Sequence, residues 1–195
     1  VKRIFLDVGA NTGQTLAAVQ GLGFDRIHCF EPVPACWPYL EKLADKHTRI
    51  ERFGLWNRPA RMPIFDPGTK GGGLWVKDKR RKDTPITQEL CEFRQASAWL
   101  RDHIPDGARV YMKLNCEGCE CDILDDLLDS GEFEKVAHVM VDFDVRKIGA
   151  LRHREAETRA RLAGLDPHRV MYCSEVMVGD THRARIRHWL GLLPA

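Results

Sequence analysis

The segment Ile4-Phe5-Leu6-Asp7-Val8-Gly9-Ala10-Asn11-Thr12-Gly13 restricts the fold more than any other part of the chain. A short, nearly continuous apolar run ending in glycine reads as a strand buried on both faces, the habit of parallel sheets. Residues 9–13 make a turn. Leu16, Val19 and Leu22 then recur at helical spacing from Gln14, and the Gly21 to Gly23 stretch is a stop. Strand, glycine turn and helix in this order form the first unit of an alternating α/β domain.

The alternation continues downstream. Arg26 to Glu31 reads as a second strand, Pro34 to Lys46 as a helix with Trp37, Leu40 and Leu43 on one face, and Ile50 to Trp56 as a third strand. Ala96 to His103 is a short helix, Arg109 to Leu114 a fourth strand, Gly118 to Ser130 a helix with Ile123, Leu124, Leu127 and Leu128 inward, and Val136 to Phe143 a fifth strand. A charged helix near Arg152 to Ala163, a strand at Val170 to Val178 and a basic segment from Thr181 to Leu193 complete the chain. Arg61 to Phe65 reads as one arm of a hairpin. The glycine-rich stretch from Pro67 to Gly73 and the basic run from Lys77 to Lys82 break the pattern, so residues 57–90 are expected as a mobile insertion. The 195 residues suit a single domain, 1–195, with a mainly parallel sheet and helices on both faces. Such a sheet gathers Asp7 to Gly13, Glu31, Asn115 to Glu117 and Asp142 to Asp144 on one rim.

Composition narrows the function. Apolar residues at 44% and charged residues at 30% exclude a disordered or collagen-like chain. The 30 basic and 28 acidic residues leave a net charge of +2, which disfavours a global attraction to nucleic acid or anionic lipid. No apolar run approaches the roughly 20 residues needed to cross a bilayer, so no membrane span is expected. Seven cysteines, an odd number without a signal peptide, argue for a reduced, cytoplasmic setting. The chain opens on Val1 and enters its first strand almost at once, so an upstream segment is expected.

The glycine turn leaves backbone N–H groups open to a ligand. Its spacing, Asp7-x-Gly9-x-x-x-Gly13, departs from the dinucleotide fingerprint, with Asn11 and Gln14 where the second and third glycines belong, so a nicotinamide cofactor is disfavoured. Glu31 ends the second strand and is placed to accept hydrogen bonds from a ribose diol. Lys113 alternates with Met112 and Leu114 and points away from their face, toward the site or an acidic neighbour. Cys116-x-x-Cys119-x-Cys121 invites zinc, but no second ligand pair stands at zinc-site spacing, and no metal is expected. His138, inside an apolar strand, reads as a satisfied core histidine.

Phe5-Leu6-Asp7-Val8-Gly9-Ala10-Asn11-Thr12-Gly13 followed by Phe30-Glu31-Pro32-Val33-Pro34 resembles the opening of the FkbM family of S-adenosylmethionine-dependent methyltransferases. Met112-Lys113-Leu114-Asn115-Cys116-Glu117-Gly118-Cys119-Glu120 is similar to that family's K-I-D-V-E-G-A-E segment. The resemblance covers roughly residues 3–145. It implies a Rossmann-like class I methyltransferase fold, S-adenosyl-L-methionine held by Asp7, Gly9, Asn11, Thr12, Gly13, Glu31 and Pro32, and methyl transfer to a hydroxyl of a sugar, glycan or other small natural product. Asn115 stands where the family has Asp, and an amide cannot take a proton as a carboxylate does. Glu117 is therefore the first candidate base, with Asp142 and Asp144 next and Asn115 and Lys113 as further candidate catalytic residues. Two alternatives remain. The basic run and Arg183, Arg185 and Arg187 would suit a nucleic-acid methyltransferase; Asn115 would suit a cofactor-binding module without turnover.

Overall fold

The computed structural model describes residues 1–69, 72–77 and 85–194. Nine strands form two sheets among these residues. The main sheet contains β1 (Arg3–Val8), β2 (Arg26–Phe30), β3 (Thr48–Glu51), β7 (Arg109–Leu114), β8 (Val136–Val141) and β9 (Val170–Tyr172) in the order β3-β2-β1-β7-β8-β9, all parallel. The order reverses between β1 and β7, which opens a crevice at their carboxyl ends. The second sheet, β4 (Gly54–Trp56), β6 (Gln88–Gln95) and β5 (Ala60–Phe65), pairs β4 parallel and β5 antiparallel to β6.

Side-chain alternation sorts the core into two layers. Ile4, Leu6 and Val8 of β1 and Val110, Met112 and Leu114 of β7 face α3 (Ala96–His103), α4 (Glu120–Ser130), α5 (His153–Leu162) and the second sheet. Phe5 and Tyr111 face the opposite layer, built from α1 (Gln14–Val19), α2 (Trp37–Leu43) and α7 (His182–Gly191), where Leu16, Leu40, Ile186 and Trp189 are fully buried. Asp7 and Lys113 belong by the same alternation to that second layer. The basic C-terminal segment is thus a helix that fills the core with Ile186 and Trp189. The charged helix α5 docks on α4 through Arg154 to Asp122 and Asp125, and Arg161 to Asp125 and Asp129.

Three expectations need correction. The run from Ile50 to Trp56 is not one strand: the chain bends at Arg52 and Phe53, leaving β3 on the edge of the main sheet and sending β4 into the second. Gly54 permits this crossing, because a Cβ there would lie 2.4 Å from the Phe93 ring. The run from Val170 to Val178 pairs only as far as Tyr172 and then coils into α6 (Cys173–Val176), folding over the rim of the sheet. The helix expected to reach Lys46 ends at Leu43, where Ala44 turns extended and the Asp45 carboxylate accepts from the His47 N–H and the Thr48 hydroxyl. The strand β6 was not foreseen; its buried Cys91 and Phe93 alternate with exposed Leu90 and Glu92. Within residues 57–90, Ala60–Phe65 is the hairpin arm expected at Arg61 to Phe65, paired with β6, and Pro63 is tolerated because β5 is an edge. The basic run beyond Lys77 lies outside the described residues, as do parts of the segment 68–82.

No helix among the described residues is long and apolar enough to cross a membrane.

Candidate functional site

A cleft of about 340 Å³ opens over the carboxyl ends of β1, β2, β7 and β8. Gly9, Ala10, Asn11, Glu31, Pro32, Lys113, Asn115, Glu117 and Asp142 line it. Asp7, Thr12 and Gly13 do not. The fold therefore joins residues from four strand ends separated by more than a hundred positions.

The turn after β1 is tightly determined. Gly9 has φ +80, and a Cβ there would sit 1.9 Å from the Asn115 carbonyl oxygen, so the side-chain-free position lets the β1 and β7 ends meet. Gly13 has φ +86 and abuts Leu43 and Leu40. Both glycines have packing reasons of their own. The five N–H groups of the turn are all donated within the protein: Gly9 and Ala10 to the Phe30 carbonyl at 3.1 and 3.0 Å, Asn11 to Glu31 Oε2 at 2.7 Å, Thr12 to Asn11 Oδ1 at 2.8 Å, and Gly13 to the Ala10 carbonyl at 2.9 Å.

Glu31 is 5% exposed, and its other oxygen accepts from the Val33 N–H at 2.9 Å. Burial pushes its carboxyl above the ordinary value, against the pull of these two backbone donors. Each oxygen keeps a second acceptor direction, which an incoming hydroxyl can use.

Beneath the turn, Asp7 is fully buried and Lys113 nearly so. Lys113 Nζ donates to the Gly9 carbonyl at 2.9 Å and lies 3.3 Å from Asp7 Oδ1. Neither Asp7 oxygen has a hydrogen-bond partner among the described residues. Burial raises the Asp7 pKa, and the Lys113 charge opposes it. Lys113 thus anchors the glycine turn from below while its head reaches the cleft.

At the other end, Asn115 Nδ2 donates to Asp142 Oδ2 at 2.8 Å, and Arg146 donates to Asp142 Oδ1 at 2.8 Å. Glu117 occupies a left-handed conformation, φ +58. It pairs with Lys77 and, at 3.5 Å, with Lys147, whose Nζ lies 2.6 Å from the neighbouring Asp144 carboxylate. Burial pushes the Glu117 pKa up, but the Asp144 and Lys77 contacts outweigh it and hold the carboxyl below its usual value. Asp144, 1% exposed, moves the other way: burial and then the Glu117 neighbour push it up to about 6. Glu120, behind them, accepts from the Cys116 and Gly118 N–H groups at 3.0 and 3.1 Å and thereby shapes the turn. Burial pushes it up to about 7.

Sequence reasoning missed several walls of the cleft. Gly68, Thr69 and residues 72–74 also line it, with the Thr69 carbonyl accepting from Asn11 Nδ2 at 3.4 Å and Gly73 packed on Glu117. Cys173, Met177, His182 and Arg185 close the side near α1, where His182 Nε2 lies 3.0 Å from Thr15 Oγ1. Only the basic character of the C-terminal segment hinted at the last two. His138 is a satisfied core residue, with Nδ1 2.8 Å from the His168 carbonyl and Nε2 3.1 Å from Arg109. Cys121 is a fully buried free cysteine on α4. No cluster of three or more metal-ligating side chains occurs among the described residues.

No family model, curated protein or solved structure matches this chain.

Proposed function

We propose that the cleft binds S-adenosyl-L-methionine and that the chain is a class I methyltransferase acting on a hydroxyl of a sugar, glycan or other small natural product. The observation that carries this reading is the internal saturation of the turn after β1. A dinucleotide would place its pyrophosphate on free N–H groups there, whereas all five are already donated within the protein. Glu31, with acceptor capacity left, still suits a ribose diol. A nucleoside cofactor without phosphate meets both conditions, and the segments that resemble those of the FkbM family support the same reading.

In this reading Glu31 holds the ribose, Pro32 and Val33 offer apolar surface to the purine, and Asn11 braces Glu31. The cofactor supplies an electrophilic methyl group. Asn115 and Asp142 lie where an acceptor hydroxyl would be oriented, and Glu117, backed by Asp144, takes its proton. Much of the rate then comes from alignment and exclusion of water.

Calorimetry tests the binding half. S-adenosylmethionine or its demethylated product should bind, NAD should not, and Glu31→Ala should weaken binding by about 1.5 to 3 kcal/mol. Equal affinity for NAD, or an unchanged dissociation constant in the variant, would remove the reading.

The catalytic half has a pH signature. Glu117 is held below its ordinary value and is the ionised base across the neutral range, whereas Asp144 ionises near 6, so turnover should change near that pH only as the Asp144 charge appears beside the base. Asp144→Asn should abolish that change, and Glu117→Gln should lower turnover about 100-fold with cofactor affinity retained. Turnover left unchanged in Glu117→Gln would exclude Glu117 as the base. The same contacts favour a second reading. Asn115, Asp142 and Glu117 are each engaged by a neighbour, as in a binding module without turnover. Cofactor binding with methyl transfer only after Asn115→Asp would select that module.

A further inference from the structure

We propose that Cys116 and Cys119 form a redox-active dithiol in the wall of the cleft, which a low-molecular-weight disulfide oxidises to an intramolecular disulfide. Their Sγ atoms lie 2.9 Å apart, about 0.9 Å beyond a disulfide bond of about 2.05 Å. Both are free thiols, and both line the cleft. The turn between them already has the curvature that closure requires, through the left-handed φ of +58 at Glu117 and φ of +119 at Gly118. It is held in that shape by the Glu120 carboxylate, which accepts from Cys116 N and Gly118 N. The inference does not depend on methyl transfer.

Exposure assigns the roles. Cys116 is the residue with surface in the cleft, Cys119 is 2% exposed, and the Cys119 thiol donates to Cys116 Sγ, so Cys116 is the attacking sulfur and Cys119 the resolving one. The Cys116 thiolate displaces one sulfur of the incoming disulfide, forming a mixed disulfide and releasing a thiolate. Cys119, losing its proton, then attacks the Cys116 sulfur and releases the second. The two cysteines lose two electrons and two protons, and the small disulfide is reduced to two thiols. Burial pushes the Cys116 thiol well above its ordinary value, so the thiolate is scarce at neutral pH and the reaction is slow. Its rate should climb nearly tenfold per pH unit. Because Glu117 stands between the two cysteines, the bond would lock the turn that presents it.

The test uses the wild-type chain equilibrated with mixtures of reduced and oxidised glutathione, quenched with acid, unfolded and alkylated. The expected result is protection of two of the seven thiols, mapped by peptide fragmentation to Cys116 and Cys119, with a midpoint that follows a two-electron couple. Cys119→Ser should stop at a glutathione adduct on Cys116, Cys116→Ser should not react, and Cys173→Ser should behave as wild type. Full alkylation of all seven thiols, a lasting adduct on Cys116 in the wild-type chain, or a bridge to any other cysteine would overturn the proposal. Peptide mapping of the wild type decides the matter even if a variant fails to fold.

Discussion

Replacing Lys113 by Met should destabilise the domain by about 3 to 5 kcal/mol at neutral pH, because it strands a buried carboxylate without its cation. Asp7 and Lys113 are register partners on β1 and β7, they face the layer of α1 and α7, and Asp7 is fully buried. Methionine retains much of the lysine stem's volume but removes both the charge beside Asp7 and the donor to the Gly9 carbonyl. For a domain of this size the melting temperature should fall by on the order of 10 °C. The pH dependence has a definite sign. Burial holds the folded Asp7 pKa above its ordinary value, and loss of Lys113 raises it further. Between the unfolded and folded values the folded state then binds more protons than the unfolded one. Stability therefore falls as pH rises through the folded value and recovers as pH drops toward the unfolded value. Thermal melts of the variant across pH check this, and Asp7→Asn in the same background should restore part of the loss. An unchanged melting temperature at neutral pH, or a deficit that deepens on acidification, would refute the buried pair.

Gly9→Ala should cost about 3 kcal/mol or more. The added Cβ would have to occupy a point 1.9 Å from the Asn115 carbonyl oxygen, which is backbone and cannot rotate away, so the ends of β1 and β7 must separate. The left-handed φ of +80 adds its own cost of about 1 to 2 kcal/mol. Gly21→Ala is the control, since Gly21 has a similar φ of +75 but open space where a Cβ would go. Denaturant melts of the two variants should differ by at least the cost of the clash, on the order of 1 to 3 kcal/mol. Equal destabilisation would mean that the glycine answers only to backbone conformation.

Periodicity carried the local elements well where a segment's burial follows from its own pattern. The limits of α3 and β7 coincide with those read from the sequence, and β1 and β2 differ only at an end residue. The failures fall where the partner decides. An apolar run from Ile50 to Trp56 is compatible with one strand, and pairing with two different partners, β2 and β6, makes it two. The alternation of Cys91 and Phe93 is weak among charged neighbours, and β6 exists because it lies between β4 and β5.

The candidate site divides in the same way. Its strand-end residues could be named in advance because a parallel α/β sheet brings carboxyl ends to one rim whatever the side chains are. That placed Gly9, Glu31, Asn115, Glu117 and Asp142 together from the sequence alone. The sequence could not say that the turn's N–H groups are all spent on Phe30, Glu31, Asn11 and Ala10, that Lys113 supports the turn from beneath, or that burial and the Glu117 charge push Asp144 up to about 6. The succession of strands and helices along the chain and the alternation of side chains within a strand can be read locally. Hydrogen-bond saturation, buried charge and coupled titration depend on distances between residues far apart in the chain, and only the tertiary structure decides those.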